Sequence, residues 1–399
     1  MALAASLPWS TSATGILAAL LLAALLPTLD LQRLRGVVGA PAGGLPVLLV
    51  ALAAVGMLWA DVAWRSRFGG LSPFLKLLFI PLLLHHFSRS ARGHRVLIGF
   101  VISCVALLIV SWVSMAWHSM PWPVRIVWYG VPVKDYISQS AVFTIAAFAL
   151  ILFAHAVWRN GRIWPALALL ILALIFIANI FYIAPSRTSL VAIPVLVLVL
   201  GYRLFGWKGA VGLIMGCLLL AAAAWPSATF MRVRVTSFFT EIQNYGRPND
   251  TSSAGLRLEW WQKSVGFIKA APVIGHGTGT VSEQFRRAVV QNKLEASDNP
   301  HNQILAVGIQ LGFVGIAVLL AMWAAHLALF RSDSFAATTG LLVAVQNVVS
   351  SLFNSHLFDF TQGWLYVIGV GIAGGMVLRE LGAPNPALAA VSSPASPTR

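Results

Sequence analysis

Residues 163–183, IWPALALLILALIFIANIFYI, contain no charged side chain and are long enough to cross the hydrocarbon core of a bilayer as one helix. The rest of the chain has the same character: of its 399 residues, 58% are hydrophobic and 10% are charged, and the mean hydropathy is +0.82. A soluble domain carries about 25% charged residues, so this chain has too few to cover a water-facing surface. The composition predicts an all-α, polytopic integral membrane protein.

Apolar runs between charged residues predict about eleven spanning helices. They lie near 12–30, 46–64, 70–87, 96–117, 137–158, 163–183, 188–205, 209–226, 302–330, 335–353 and 361–379. One long polar stretch interrupts them and divides the chain into N-terminal membrane helices (1–226), a large loop (227–300) and C-terminal membrane helices (301–380). The tail, 381–399, is rich in Ala, Pro and Ser and is predicted to be disordered.

The distribution of basic residues predicts the orientation. The net charge is +15, and the basic residues occur in twos and threes between apolar runs, which is typical of cytoplasmic helix ends and unlike a nucleic-acid-binding groove. We therefore expect membrane lipids as partners, and no nucleic acid. If the loop lies outside, the inner short segments carry eleven basic residues: Arg33, Arg35, Arg89, Arg92, Arg95, Arg159, Arg162, Arg203, Lys208, Arg331 and Arg379. The outer short segments then carry five: Arg65, Arg67, Arg125, Lys134 and Arg187. This bias places the loop, and with eight preceding spans also the N-terminus, on the non-cytoplasmic face.

Within the large loop, the apolar spacing predicts an amphipathic helix over Ser253–Ala270, ended by Pro272. Its tryptophans, Trp260 among them, are expected at the level of the lipid headgroups. Arg257 falls in the first turn of this helix. From composition alone it is either an ordinary solvated arginine or a ligand for an anion.

Two further residues stand out by position. Arg187 is isolated between apolar runs, and an arginine at the membrane centre costs at least about 2.5–3.5 kcal/mol. It therefore either snorkels to the headgroups or faces a polar cavity. His301 follows Asn299–Pro300 and begins an apolar helix, whose N-terminal dipole disfavours the cationic imidazole. It is either an interfacial capping residue or a neutral imidazole able to act as a general base.

Lys76, His356 and Asp359 are weaker candidates for the site, and we expect all three at outer helix ends. The sequence contains no Asp-x-Asp metal motif, phosphate-binding glycine loop, paired-histidine zinc motif or nucleophile elbow. With 12 acidic residues scattered over the chain, we expect no metal site and no cofactor.

Three short motifs, in this order, resemble those of the O-antigen ligase family. They are Ser186-Arg187-Thr188 between two helices, Gly255-Leu256-Arg257 with Trp260 in the loop helix, and Pro300-His301-Asn302 before the next helix. The segment GIQLGFVGIAVLL, Gly308 to Leu320, also looks like that family. The similarity covers the second half of the chain, whereas the first half agrees only in hydropathy.

The resemblance implies a bacterial inner-membrane glycosyltransferase of GT-C-like architecture with about twelve helices, one more than the sequence predicts here. Such enzymes transfer a glycan from undecaprenyl pyrophosphate to lipid A–core at the periplasmic face, in lipopolysaccharide biosynthesis. Arg187 and Arg257 match the family's pyrophosphate-binding arginines, and His301 matches its catalytic histidine. The expected reaction is metal-independent and inverts the anomeric carbon in a single displacement.

Three alternatives remain open from the sequence. An O-antigen polymerase would use the same donor with a second lipid-linked glycan as acceptor. An O-oligosaccharyltransferase would transfer the glycan to protein, although those chains are usually longer. A transporter or flippase is less favoured, because the sequence shows no internal repeat and no matching pair of broken helices.

Overall fold

The computed structural model describes residues 1–117, 129–227, 229–244, 253–292 and 297–382. The predicted disordered tail therefore lies almost wholly outside the described residues, as does Arg125. The helices, numbered in chain order, are α1 Ala2–Ser6, α2 Thr11–Leu25, α3 Leu31–Gly39, α4 Pro41–Gly56, α5 Trp64–Leu75, α6 Phe79–Phe87, α7 Gly93–Ala116, α8 Tyr136–Arg159, α9 Ile163–Tyr182, α10 Arg187–Ala224, α11 Thr229–Asn244, α12 Ser253–Ala270, α13 Val281–Asn292, α14 Gln303–Leu329, α15 Phe335–Ser351 and α16 Phe360–Gly382.

The fold is the all-α, polytopic membrane protein that the sequence predicts. In the described part of the chain, eight helical segments are long and apolar enough to cross a membrane, and the bent pair α3–α4 is a ninth. The prediction of eleven spans is higher for two reasons. α10 contains two of the predicted spans, and α15 is apolar but shorter than that criterion requires. α8 is the most buried of the spans and lies at the centre of the bundle.

α10 reverses direction at Gly206, which has φ 69° and ψ −170° in the middle of an otherwise helical segment. A Cβ added at Gly201 would lie 2.8 Å from the Cα of Ala210, a distance that a straight helix of this length cannot give. The two halves therefore pack side by side as a hairpin. This restores two spans where the sequence predicts 188–205 and 209–226.

α14, predicted as one continuous span, is broken at Gly312, which has φ 60°. The turn that follows α12 fills the break. The N–H of Phe313 donates to the carbonyl of Pro272 at 2.7 Å, and the N–H of His276 donates to the carbonyl of Ile309 at 2.9 Å. A Cβ at Gly312 would lie 2.4 Å from the carbonyl of Val273, so only glycine allows the two backbones to approach this closely.

The large loop is mostly helical in its described parts: α12 has the bounds that the sequence predicts, and α11 and α13 are additional. The glycine-rich turn after α12 also contacts the N-terminal half. The Thr278 hydroxyl donates to the carbonyl of Ala53 at 2.5 Å, and Arg287 of α13 forms an ion pair of 2.7 Å with Asp61. The loop is therefore attached to α4 and to the segment before α5.

Candidate active site

The site forms where the residues before α14 meet the segment 352–359, which connects α15 to α16. Asn302 caps α14: its side-chain oxygen accepts from the N–H of Ile304 at 2.9 Å, and its amide nitrogen donates to the carbonyl of Leu352 at 3.0 Å. The side-chain oxygen of Gln303 accepts from the N–H of Leu357 at 3.1 Å. These bonds hold two segments together that lie about 50 residues apart in the sequence.

His301 lies at this junction in a backbone conformation that few side chains adopt. Its φ is +51°, a left-handed conformation in which histidine is among the more tolerated residues. The side-chain oxygen of Asn299 accepts from the N–H of His301 at 2.8 Å, and the hydroxyl of Ser355 donates to the same oxygen at 2.6 Å. Strain of this kind persists only where surrounding contacts over-determine it, and it clusters at functional sites.

The imidazole of His301 stacks on the indole of Trp260, with ring centroids 5.2 Å apart and an interplanar angle of 28°. Trp260 therefore covers the candidate base, and its expected place at the level of the lipid headgroups stays a prediction. The stacking places α12, and with it Arg257 one turn earlier, against the start of α14. Arg257 is close enough for its positive charge to lower the pKa of His301.

A hydrogen-bond chain determines which nitrogen of His301 carries its proton. The amide nitrogen of Asn354 donates to the carboxylate of Asp359 at 3.2 Å, so the amide oxygen faces the other way. That oxygen accepts from the N–H of Ser355 at 3.0 Å and lies 2.9 Å from Nδ1 of His301. Since an amide oxygen only accepts, Nδ1 of His301 must be the donor. In the neutral ring, Nε2 is then left with the free lone pair.

The environment keeps His301 neutral. Burial lowers its pKa below the ordinary 6.5, the hydrogen bond to Asn354 raises it, and the charge of Arg257 lowers it again. Asp359 opposes this by raising the pKa, and His356 adds a smaller lowering effect. The shift is downward, so at neutral pH the imidazole is unprotonated on Nε2 and able to accept a proton.

The three secondary candidates, Lys76, His356 and Asp359, contact one another or the segment 352–359, which carries Asn354. His356 is buried and bonds through Nδ1 to the carboxylate of Asp359 at 2.8 Å. Lys76 is 8% exposed, and its ammonium donates to the carbonyls of Phe358 at 3.0 Å and Asp359 at 2.7 Å. The expectation that Lys76 lies at an outer helix end is wrong, because α5 begins at Trp64 and Lys76 falls inside the helical segment Trp64–Phe87. Lys76 contacts the backbone of the segment 352–359 and not the ring of His301.

Arg187 is the first residue of α10, and the hydroxyl of Ser186 caps that helix by accepting from the N–H of Ser189. Ser140 of α8 donates to the hydroxyl of Ser186 at 2.7 Å. Two residues before Ser140, Ser138 lines a cavity together with Asn354 and Asp359. The start of α10 is thus joined to the part of α8 that borders the site, so Arg187 lies at the same end of the bundle as His301.

Two cavities flank the segment 352–359. The larger, of about 800 Å³, is bordered by Asn299, Pro300 and Ser355, together with residues of α5 and α13. The smaller, of about 330 Å³, contains Asn354, Asp359 and Lys134 in its wall. Pro300, the neighbour of His301 in the chain, lines the larger cavity, and Asn354, its hydrogen-bond partner, lines the smaller one.

Sequence reasoning missed two residues of this region. Asn354 begins the polar cluster Asn354-Ser355-His356 between two apolar runs, and this cluster was the available signal. Lys134 donates to the carbonyl of Leu7 at 2.6 Å and to the hydroxyl of Thr361 at 2.9 Å. Burial lowers the pKa of Lys134 to about 8, against the opposing charge of Asp135. Within the described ranges, no group of three or more His, Cys, Asp or Glu side chains could hold a metal ion.

These features define a multi-pass membrane protein with a polar, histidine-centred site at one end of its helical bundle. Residues 172–320 match the family model described as O-antigen ligase. The matched segment contains Arg187, Arg257 and His301, and it confirms the resemblance that their motifs indicate. Members of this family are membrane enzymes of the glycosyltransferase type. No curated protein matches the chain.

Proposed function

We propose that this protein is an O-antigen ligase, which transfers a glycan from undecaprenyl pyrophosphate to lipid A–core in the bacterial inner membrane. The observation that carries the proposal is the chain Asp359–Asn354–His301, which leaves the lone pair of a neutral imidazole on Nε2, within range of the positive charge of Arg257. The family match supports the reaction class, because it covers all three residues to which we assign the chemistry.

In the proposed reaction, Nε2 of His301 accepts the proton of an acceptor sugar hydroxyl. The hydroxyl oxygen forms a bond to the anomeric carbon of the donor glycan while the bond from that carbon to the pyrophosphate oxygen breaks. Undecaprenyl pyrophosphate leaves with the electron pair, and one displacement inverts the anomeric centre. A general base of this kind contributes about 10²–10⁴-fold.

The pyrophosphate leaving group requires positive charge, which Arg187 and Arg257 supply in this proposal. A guanidinium offers a planar fork of donors that matches phosphate oxygens, and it remains charged at any physiological pH. The developing charge is then neutralised by side chains alone, so the reaction needs no resident metal ion. We place the active site on the periplasmic face because of the eleven-to-five bias of basic residues.

The nearest alternatives share the donor and differ in the acceptor. An O-antigen polymerase would use a second lipid-linked glycan, and an O-oligosaccharyltransferase would use a protein hydroxyl. The same base and the same arginines would serve all three. A transporter is disfavoured, because a base with a fixed tautomer and a covering tryptophan serves chemistry and not the passage of a substrate.

The test is reconstitution of the purified chain with lipid-linked glycan and lipid A–core alone. The expected product is lipid A–core carrying the glycan, formed by the native protein and by His94→Ala but not by His301→Ala. His94 is a suitable control because it is exposed near the start of α7. Longer lipid-linked glycan in place of modified core would identify a polymerase. Failure to form either product would reject the proposed function.

A further inference from the structure

A second polar cavity lies at the end of the bundle opposite His301. Its volume is about 450 Å³, and its walls are Leu25, Thr28, Leu29, His85, His86, Arg89 and Ser90. Two helical segments fix its position. α2 begins at Thr11, which lines the cavity beside Asp359, and runs away from it to Leu25. The segment α5–α6 runs from Gly70, which touches the turn after α12, to His85 and His86.

The cavity contains basic side chains without a lining carboxylate. Asp30 is the nearest acid, and its side-chain oxygens are already engaged: one accepts from the N–H of Gln32 and Arg33, and the other pairs with the Arg33 guanidinium at 3.3 Å. The guanidinium of Arg89 has no hydrogen-bond or ion-pair partner among residues 1–117 and the other described ranges. Arg89 therefore has no ion pair of its own, although it lies close enough to Asp30 for its charge to lower the pKa of that carboxyl group.

Several hydrogen-bond donors accompany this charge. Nε2 of His85 accepts from the N–H of Asp30 at 3.4 Å, so the neutral ring carries its proton on Nδ1. That nitrogen is buried and has no partner in the described part of the chain. The hydroxyl oxygen of Ser90 accepts from the N–H of Arg92 at 3.3 Å, which leaves the Ser90 proton free to donate. Nδ1 of His85 is enclosed by protein, so the groups open to a ligand are the guanidinium of Arg89 and the hydroxyl of Ser90, a cation and a donor that suit an anion.

We propose that this cavity binds the phosphodiester of an anionic phospholipid headgroup. Arg89 would bind the phosphate oxygens and Ser90 would donate a further hydrogen bond, while Leu25 and Leu29 provide an apolar wall for the glycerol and the start of an acyl chain. Leu26, 56% exposed at the end of α2, continues the apolar surface outward. Basic pockets between spanning helices on the inner side of a membrane bind phospholipid headgroups in this way.

The site is independent of glycan transfer, because it lies at the other end of the helices that border the catalytic residues. It lies among the inner helix ends where the basic residues of the chain accumulate, which is the leaflet surface where anionic lipid is recognised. The ligand chemistry, a phosphate with net negative charge, would also fit free inorganic phosphate. The two sources differ in whether an acyl chain contributes, and the experiment separates them.

The experiment uses the purified full chain in a neutral detergent and measures its melting temperature during titration with lipid. The arms are phosphatidylglycerol, phosphatidylcholine, inorganic phosphate and a buffer control. Arg89→Gln removes the cation from the cavity. Arg95→Gln makes the same change on α7, at an exposed residue outside the cavity, and serves as the matched control.

We expect phosphatidylglycerol to raise the melting temperature of the native protein and of Arg95→Gln, with little effect of phosphatidylcholine. Arg89→Gln should bind phosphatidylglycerol about tenfold more weakly, the effect of losing about 1.4 kcal/mol. An equal response to both lipids, or an unchanged affinity in Arg89→Gln, would overturn the site. A full response to inorganic phosphate that depends on Arg89 would overturn the lipid assignment. The melting curves measure lipid binding and do not depend on glycan transfer. If the chain proved unable to transfer a glycan, the lipid site would therefore still be tested by these curves.

Discussion

Replacing Asn354 with leucine tests whether the chain Asp359–Asn354–His301 orients a general base. Leucine keeps the branching of asparagine at Cγ but has no acceptor for Nδ1–H of His301, which now donates at 2.9 Å. The hydrogen bond itself contributes about 0.5–1.5 kcal/mol, and without it the ring is free to adopt the other tautomer, in which Nε2 carries the proton. We expect kcat/KM to fall about 10- to 100-fold, which lies within the range attributed to a positioned base.

The direction of the pH effect distinguishes this role from a merely structural one. Burial and Arg257 lower the pKa of His301, whereas the bond to Asn354 raises it. Removing that bond should lower the pKa further, so the acid limb of the kcat/KM profile moves to lower pH while the plateau falls. Partial unfolding would lower the plateau without moving the limb.

The assay is transfer of lipid-linked glycan to lipid A–core across a pH series, with donor binding measured separately. Asn347→Leu is the matched control, because Asn347 is a buried amide of α15 whose side-chain oxygen has no partner in the described structure. It should keep the native plateau and acid limb. A native kcat/KM with an unmoved acid limb in Asn354→Leu would refute the orienting role.

Arg187→Ala and Arg257→Ala should each lower turnover about 10²–10³-fold, as expected for removing one donor from a developing negative charge. Lysine at either position should restore only part of the turnover, because it lacks the planar fork. Near-native turnover in both alanine variants would indicate that these arginines do not bind the pyrophosphate. Turnover should persist in excess EDTA, and loss that Mg²⁺ or Mn²⁺ restores would contradict a reaction supported by arginines alone. In a Cys217→Ala background, a cysteine at Arg286 should react with an impermeant thiol reagent from the periplasmic side and one at Ser332 should not. The reverse pattern would invert the topology.

The spans were predictable because membrane crossing depends on local composition and length, which the sequence displays directly. What the sequence could not show is where the backbone departs from a helix. Gly206 and Gly312 are unremarkable glycines in apolar runs, yet one reverses α10 and the other opens α14. The break at Gly312 depends on a tertiary contact, the docking of Val273 against it, and a local pattern contains no such information.

The same difference separates the site residues that were predictable from those that were not. Arg187 and His301 stand out because a polar side chain next to an apolar run is costly and therefore requires an explanation. Asn354 does not stand out in this way, and the sequence singles out Trp260 only as part of a motif, without a link to the ring of His301. Their roles follow from packing against His301, which is about 40 to 50 residues away in sequence. The secondary candidates stay predictions, and the contacts of Lys76 with two backbone carbonyls are visible only in the structure.

The arrangement also explains why a chain with so few charges keeps Lys76 buried. The segment 352–359 must hold the amide of Asn354 in one orientation, and it is too short to form a helix whose own hydrogen bonds would fix it. Gln303 instead accepts from its N–H groups, and Lys76 satisfies its carbonyls. A buried charge is costly unless it is hydrogen-bonded, and here its partners are the backbone that carries Asp359. The hydrogen bonds from Lys76 to these carbonyls offset part of its desolvation, and they hold in place the segment whose Asn354 orients His301.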